Sequence, residues 1–207
     1  MVELDMELME GGNLADLMYD IQHSLFSESA LLVLLTDCAR GLAHLHNNIH
    51  VAHFDIKPAN ILLDSARRRA KLADFGLALN PDETSVDYPR GTFRYMPPEL
   101  YSSNRADYRV DVWSLGLSFY EFAAGKHPFH IEEANLSEEE KKIQLRAKIL
   151  SNPVPELTSR FFQISNDLVQ LLAHMLEKNK EERPLIQEIL ESKIIRVVTL
   201  TGIKTPI

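Results

Sequence analysis

The run HFDIKPAN at residues 53–60, followed at Asp74 by the tripeptide DFG, decides the fold of this 207-residue chain. The run supplies a carboxylate at Asp55, an ammonium at Lys57 and an amide at Asn60, and DFG adds a second carboxylate. A carboxylate can accept a hydroxyl proton, an ammonium can offset phosphate charge, and Mg²⁺ takes carboxylate and amide oxygens as ligands. These residue types, in this order, predict phosphoryl transfer.

The two motifs together resemble the catalytic loop, H-x-D-x-K-x-x-N, and the metal-binding D-F-G of eukaryotic protein kinases. The resemblance implies that Asp55 accepts the proton of the substrate hydroxyl and that Lys57 offsets charge on the γ-phosphate of ATP. It also implies Mg²⁺ ligands at Asn60 and Asp74. The alternative is a pair of exposed turns, since Asp, Asn, Lys and Pro are common turn residues. Further kinase motifs in the same order argue against that alternative.

Near the amino terminus, alternating residues 4–9 predict a short strand, and a glycine pair ends it before Asn13, which can cap a helix. This segment resembles the kinase hinge, which binds the adenine of ATP through backbone groups. By that resemblance Met6 is the gatekeeper. A further ATP contact is implied for Leu62, for which a buried strand leucine is the alternative. The implied ATP-contacting residues are Glu7, Met9, Asn13 and Leu62.

Two downstream motifs extend the resemblance. The run GTFRYMPPE at residues 91–99 matches the family's G-T-x-x-Y-x-A-P-E, with proline in place of alanine. It implies that Thr92 bonds the catalytic aspartate and lysine, and that Glu99 pairs with Arg183 of the later sequence ERP. An isolated buried carboxylate is costly, which is why such a pair is expected. The run DVWSLG, starting at Asp111, resembles the start of the central buried helix, whose aspartate holds the catalytic-loop backbone.

Hydrophobic periodicity supplies the remaining elements. A long helix is predicted over residues 29–46 and leads into the catalytic loop. His53 is expected to pack under Phe75, and a metal role for the nearby histidines is the weaker alternative because Zn²⁺ sites need convergent ligands. The other predicted elements are strands at 61–63 and 71–73, a helix from 111 to Gly125, a helix from Ser137 to about 150 opened by a capping box, and helices at 165–176 and 184–190.

The fold that these motifs imply is a protein-kinase-like, mainly α-helical C-lobe with a few short β-strands. It is expected to occupy residues 1–195, and residues 196–207 are a tail of unknown role. The glycine-rich loop, strand lysine and helix glutamate of the family's N-terminal β-rich lobe are absent from this sequence. Because phosphoryl transfer depends on positioning and electrostatics, the chain alone is expected to be a poor kinase.

The amino-acid composition argues against some classes of binding partner. The net charge of −8 and the pI near 5.5 argue against nucleic acid and anionic membranes, which bind basic surfaces. Cys38 is the single cysteine, so no internal disulfide is possible, and a packed thiol is expected. No secretory signal or membrane span is apparent. An intracellular protein of the cytoplasm or nucleus is expected, with ATP and a protein substrate as partners and the oligomeric state open.

The function implied is that of a protein serine/threonine kinase. Two alternatives remain: a catalytically inactive kinase-fold binding module, and a Wee-type kinase that acts on tyrosine. The second half is similar to NIMA-related mitotic kinases, whereas the hinge turn and K-P-A-N are similar to the inhibitory cell-cycle kinases of the Wee type. Phe54 stands where many kinases carry an arginine that binds a phosphate of the activation segment. Regulation by phosphorylation at Thr84 or Ser85 is therefore not expected.

Overall fold

Helix α4, Arg109–Ala124, lies at the centre of the molecule and is buried from Val110 to Ala124. Apolar side chains surround nearly its whole circumference, so every face packs against another element. The helix ends at Gly125, whose φ of 71° is the left-handed conformation that glycine adopts without strain. The predicted central helix and its end are confirmed.

The computed structural model describes residues 6–21, 26–82, 90–102, 106–131, 136–159 and 162–201. Within these ranges the chain is mainly helical. Its other helices and its two strands are α1 Leu14–Ile21, α2 Glu28–His44, β1 Ile61–Leu63, β2 Ala70–Leu72, α3 Glu99–Ser102, α5 Glu138–Ser151, α6 Asn166–Met175, α7 Ile186–Glu191 and α8 Lys193–Thr201. Short 3-10 turns lie at Pro58–Asn60 and Phe93–Tyr95.

Helix α2 connects the core to the catalytic loop. Its predicted apolar face is buried, including Leu31, Leu35 and Cys38, and it packs against β2, α4, α7 and α8. Ser27 caps its first turn by accepting a hydrogen bond from the amide of Ala30. The chain then widens into a π-helical turn at Leu45–Ile49, which the helical spacing did not indicate.

The two predicted strands form an antiparallel pair, with Ile61 opposite Leu72 and Leu63 opposite Ala70. The second strand lies one residue earlier than predicted. The strand predicted over residues 4–9 is wrong for 6–9, which form none, and residues 1–5 lie outside the described ranges.

The turn after residue 9 takes the place beside β1 instead. The amide of Gly11 donates to Leu63 at 2.9 Å, and the amide of Leu63 donates to Gly12 at 2.9 Å. A Cβ atom on Gly11 would clash with the carbonyl oxygen of Asp64, so the close approach requires glycine. Alternation alone therefore placed the pairing a few residues too early.

The carboxyl-terminal helices mostly follow the predictions. Ser137 and Glu140 form the predicted capping box of α5. Helix α8 was not predicted, and it continues past residue 195. Its side chains Ile195 and Val198 are buried, and Thr199 accepts a hydrogen bond from Arg40 of α2 at 3.0 Å. The proposed domain boundary thus falls inside a helix. Within the described ranges, no helix combines the length and apolar character needed to cross a bilayer.

Candidate active site

The carboxylate of Asp55 is buried and accepts four hydrogen bonds. Its Oδ2 atom accepts from Lys57 Nζ at 2.7 Å and from Asn60 Nδ2 at 3.1 Å. Its Oδ1 atom accepts from the amide and the hydroxyl of Thr92, at 2.8 and 2.7 Å. Burial raises the pKa of Asp55, but the donors on Lys57 and Thr92 outweigh burial and hold the pKa below its ordinary value. The carboxylate is therefore ionised at neutral pH.

Thr92 joins the catalytic loop to the segment that follows it. Lys57 Nζ donates to the Thr92 hydroxyl at 2.8 Å, and that hydroxyl donates to Asp55. Gly91 makes this approach possible, because a Cβ there would clash with the carbonyl oxygen of Phe54 and its φ is +96°. The structure thus brings together the three residues predicted to be catalytic.

Asp111 of α4 holds the backbone of the catalytic loop, as predicted. Its Oδ2 atom accepts from the amide of His53 at 2.7 Å, and its Oδ1 atom accepts from the amide of Phe54 at 2.9 Å. Phe54 has a φ of +65°, a strained conformation for a side chain of this size. His46 Nε2 lies 2.8 Å from Oδ2 and completes the site. The acid on the buried helix therefore fixes the conformation that presents Asp55.

His53 links the catalytic loop to the DFG segment. Its Nδ1 atom accepts from the amide of Asp55 at 3.2 Å, so Nε2 carries the proton and donates to Ala73 at 3.0 Å. Its ring centroid lies 5.1 Å from that of Phe75, which confirms the predicted packing. Within the described ranges no cluster of His, Cys, Asp and Glu could hold a metal ion, so a metal role for the histidines is not supported.

A backbone hydrogen bond holds Asp74 near Asn60. The amide of Ala73 donates to the Asn60 carbonyl at 3.0 Å, which places Asp74 beside Asn60. Asn60 Nδ2 donates to Asp55, so its amide oxygen is left for another ligand. The Asp74 carboxylate is exposed and accepts a 3.3 Å bond from Gly76. One amide and one carboxylate oxygen fit Mg²⁺ that completes its shell with phosphate and water.

The predicted ATP-contacting residues border the small sheet. Asn13 pairs with Leu62 in an isolated bridge, and its side chain caps α1 by accepting from Ala15 and Asp16, at 2.9 and 3.0 Å. Glu7 forms an ion pair with Lys71 of β2. Met6, the predicted gatekeeper, is 70% exposed, and Met9 is partly buried. The adenine-binding role of this group stays a prediction.

Glu99 and Arg183 form the predicted buried ion pair. Arg183 donates from Nη1 and Nη2 to the two carboxylate oxygens at 2.7 and 3.0 Å, and its guanidinium also lies 5.1 Å from the Trp113 ring. The pair anchors the end of the segment that contains Thr92. Thr84 and Ser85 lie outside the described residues.

A polar cluster on the carboxyl-terminal half of α4 was missed by the sequence analysis. Glu121 accepts from Arg94 Nη2 at 2.8 Å and from the Tyr95 hydroxyl at 2.6 Å. His127 Nε2 donates to the Arg94 carbonyl at 3.0 Å, and its pKa is lowered to about 4 by burial and by the charge of Arg94. Glu121 within a buried helix was the available signal, because a buried acid needs hydrogen-bond donors.

Comparison with known proteins identifies the family. The model of the protein kinase domain matches residues 1–195. Mitogen-activated protein kinase kinase 2 of Arabidopsis thaliana is 31% identical over 98% of this chain and 54% of its own length. Serine/threonine-protein kinase ULK3 of Rattus norvegicus is 37% identical over 90% of this chain and 38% of its own length. Serine/threonine-protein kinase Nek8 of Danio rerio is 34% identical over 91% of this chain and 26% of its own length.

The chain spans about half the length or less of these curated relatives. Its helical architecture, with a single two-stranded sheet in the described ranges, matches the C-lobe predicted from the motifs. With a family model over 195 residues and these relatives, the chain belongs to the protein kinase family.

Proposed function

We propose that this chain supplies the catalytic half of an ATP-dependent protein serine/threonine kinase. The observation that carries the proposal is the network in which Asp55, Lys57 and Thr92 are mutually hydrogen-bonded at 2.7 to 2.8 Å. A carboxylate held next to a cation and a hydroxyl is the arrangement that phosphoryl transfer to an alcohol requires. The Ser/Thr kinases among the relatives support the same reaction.

Each residue of the site has a separate proposed role in the reaction. Ionised Asp55 orients the acceptor hydroxyl and accepts its proton, and Lys57 lies beside it to offset charge on the transferred phosphoryl group. Asn60 and Asp74 would hold the magnesium ion of the nucleotide. When bound, that ion would supply positive charge that offsets the charge of the nucleotide phosphates. Because two protein ligands are too few for tight binding, we expect Mg²⁺ to bind only together with nucleotide.

Serine and threonine are the proposed acceptors. Their hydroxyls lie close to the backbone, so the acceptor must approach the catalytic loop almost to contact, and Thr92 can line this shallow site. The alternative is tyrosine phosphorylation, on account of the Wee-type similarity of the K-P-A-N run. Phosphoamino-acid analysis of the product decides between them, and phosphotyrosine as the main product would refute the serine/threonine proposal.

The second candidate is a catalytically inactive binding module. Met6 and Leu8, next to the predicted hinge turn, are 70 and 78% exposed, so they offer apolar surface to a binding partner. Calorimetry with Mg·ATP tests whether a second lobe is needed. We expect no micromolar binding by the 207-residue chain, and micromolar binding would contradict that requirement.

The decisive test is Asp55→Ala in the chain joined to a β-rich lobe of the family. We expect phosphoryl transfer to slow by about 10² to 10⁴, the range for a positioned acid-base group. The matched control is Asp167→Ala, because Asp167 is exposed and, in the described part of the chain, forms one long ion pair, with Lys193 at 3.9 Å. Unchanged turnover in Asp55→Ala would remove that residue from the mechanism.

The remaining proposals concern the setting of the protein. A protein substrate, ATP and an intracellular location in the cytoplasm or nucleus are proposed, as is a cell-cycle role from the NIMA-related similarity. The buried thiol of Cys38, whose pKa is raised by burial, suits a reducing compartment. The division at residue 195 into a kinase domain and a tail also stays a prediction.

A further inference from the structure

Two arginines flank the threonine that bonds the catalytic aspartate. Arg90 precedes Thr92 by two residues and lines the same cleft as Asp55 and Thr92. Arg94 follows by two residues within the 3-10 turn Phe93–Tyr95. Two residues of chain span at most about 7 Å, so both arginines begin within that distance of Thr92. Any acceptor segment that brings a hydroxyl to Asp55 must pass close to them.

Both guanidinium groups have donors to offer. Arg90 is partly exposed and has no ion-pair partner in the described part of the chain. The Arg94 side chain is 37% exposed and uses Nη2 for its bond to Glu121. A guanidinium carries five N–H donors, so Arg94 retains donors that face solvent. The two side chains can therefore bind carboxylates of an acceptor segment.

Glu121 of α4, the acid that bonds Arg94, already has two partners. One carboxylate oxygen accepts from Arg94 and the other accepts from the Tyr95 hydroxyl, and its side chain is only 11% exposed. A lysine or arginine of an acceptor segment would have to displace one of these partners. The site therefore disfavours basic residues in the acceptor segment, because they would find no free acceptor. Such a penalty against the wrong partner contributes to specificity alongside the favourable contacts to the right one.

The local charge differs in sign from that of the whole chain. The chain carries a net charge of −8, yet among the residues that the structure describes, those bonded to Thr92 or within two positions of it include Arg90, Arg94 and Lys57 against Asp55, and Arg94 is paired with Glu121. The positive charges of Arg90 and Arg94 lie at the edge of the site, and Asp55 at its centre is the proposed proton acceptor. This distribution attracts anionic segments to a molecule that otherwise repels them.

We propose that the acceptor segment carries Asp or Glu next to its hydroxyl residue, and that Arg90 and Arg94 bind these acids. The inference rests on the proposed function, because it names the substrate class of the same site. Partly exposed ion pairs contribute little individually, about 1.4- to 5-fold each in affinity. Two such pairs predict that an acidic peptide binds about 2- to 30-fold more tightly than its basic counterpart.

The test is fluorescence anisotropy with labelled 11-residue peptides on the 207-residue chain, without ATP. Each peptide has Ala in place of the acceptor Ser, and its neighbours are all Glu or all Lys. We expect the Glu peptide to bind more tightly, and Arg90→Gln and Arg94→Gln to reduce that preference. Glutamine at position 94 keeps a donor for Glu121. Arg68→Gln is the matched control, because Arg68 lies exposed on the turn between β1 and β2.

Several outcomes would overturn the proposal. Equal or tighter binding of the Lys peptide would do so, and so would no binding of either peptide or a preference unchanged in both arginine variants. Thermal unfolding of each variant shows whether Arg94→Gln is folded, and Arg90→Gln supplies an independent test at a partly exposed position. Since the assay contains no ATP, its result is separate from the phosphorylation assay, which alone decides whether the site transfers phosphate.

Discussion

Replacing Asp111 should destabilise the molecule more than any surface substitution, because three buried donors converge on its carboxylate. Asp111→Asn keeps the shape but has one acceptor oxygen. If that oxygen accepts from His46 and from the His53 amide, the new NH₂ group lies opposite the Phe54 amide. Both groups are donors, so the Phe54 amide loses its hydrogen bond. A buried unpaired donor costs about 1 to 3 kcal/mol. We expect a loss of about 2 to 3 kcal/mol, and at least about 4 kcal/mol for Asp111→Ala, which leaves all three donors without an acceptor.

Urea unfolding followed by tryptophan fluorescence measures this loss. Trp113 is the single tryptophan of the chain and lies buried on the same helix, so its emission reports on α4. A loss of 2 to 3 kcal/mol should lower the unfolding midpoint by about 1 to 2 M for a typical slope. In the lobe-bearing enzyme, the same variant should also slow phosphoryl transfer, because the Phe54 backbone is no longer held at positive φ.

Asp167→Asn is the control for Asp111→Asn, since it makes the same chemical change at a position 54% exposed. Its stability should lie within about 0.5 kcal/mol of the unmodified chain. If Asp111→Asn were equally harmless, the three hydrogen bonds would not hold the catalytic loop and the reasoning would fail.

Two further predictions concern buried charge. Arg183→Met should cost about 3 to 5 kcal/mol because it removes the guanidinium that pairs with buried Glu99. Adding Glu99→Leu should recover part of that loss, as a double-mutant cycle by urea unfolding would measure; a double variant no more stable than Arg183→Met would contradict it. His127 has a pKa of about 4 when folded, against an ordinary 6.5, so the unfolded chain binds its proton first. The free energy of unfolding should therefore fall by about 3 kcal/mol as the pH falls from 6.5 to 4. The variant His127→Asn should lack this part of the pH dependence when unfolding is measured between pH 7.5 and 4.5. Identical pH profiles for the two proteins would exclude His127 as the cause.

The parts of the site that the sequence predicted share one property: each depends on a residue type with few alternatives. The roles of Asp111 and of the Glu99–Arg183 pair were predicted from the motif resemblance, and the cost of an isolated buried carboxylate supports the pairing of Glu99. The structure pairs Glu99 with Arg183 and holds the loop with Asp111. The bonds of Thr92 to Asp55 and Lys57 were predicted from the motif resemblance, and the structure shows its partly buried hydroxyl making both.

The parts that could not be predicted depend on contacts between distant segments. Residues 6–9 alternate like a strand, but the backbone beside β1 is taken by Gly11 and its neighbour. The β-branched residues of α8 favour strands weakly, whereas burial of Ile195 against α2 decides for a helix. The occupation of Glu121 by Arg94 likewise appears only when α4 and the turn after Thr92 are packed together.

The ion pair between Glu99 and Arg183 also determines when this part of the chain can finish folding during synthesis. The two residues are 84 positions apart, so at about 5 to 20 residues per second a ribosome makes the carboxylate some 4 to 17 s before its guanidinium. During that interval the segment that contains Thr92 and ends at Glu99 lacks the Arg183 guanidinium that anchors it. The half-made chain must keep this end open to water or to a chaperone, and the arrangement around Asp55 and Thr92 is completed only when the last helices emerge.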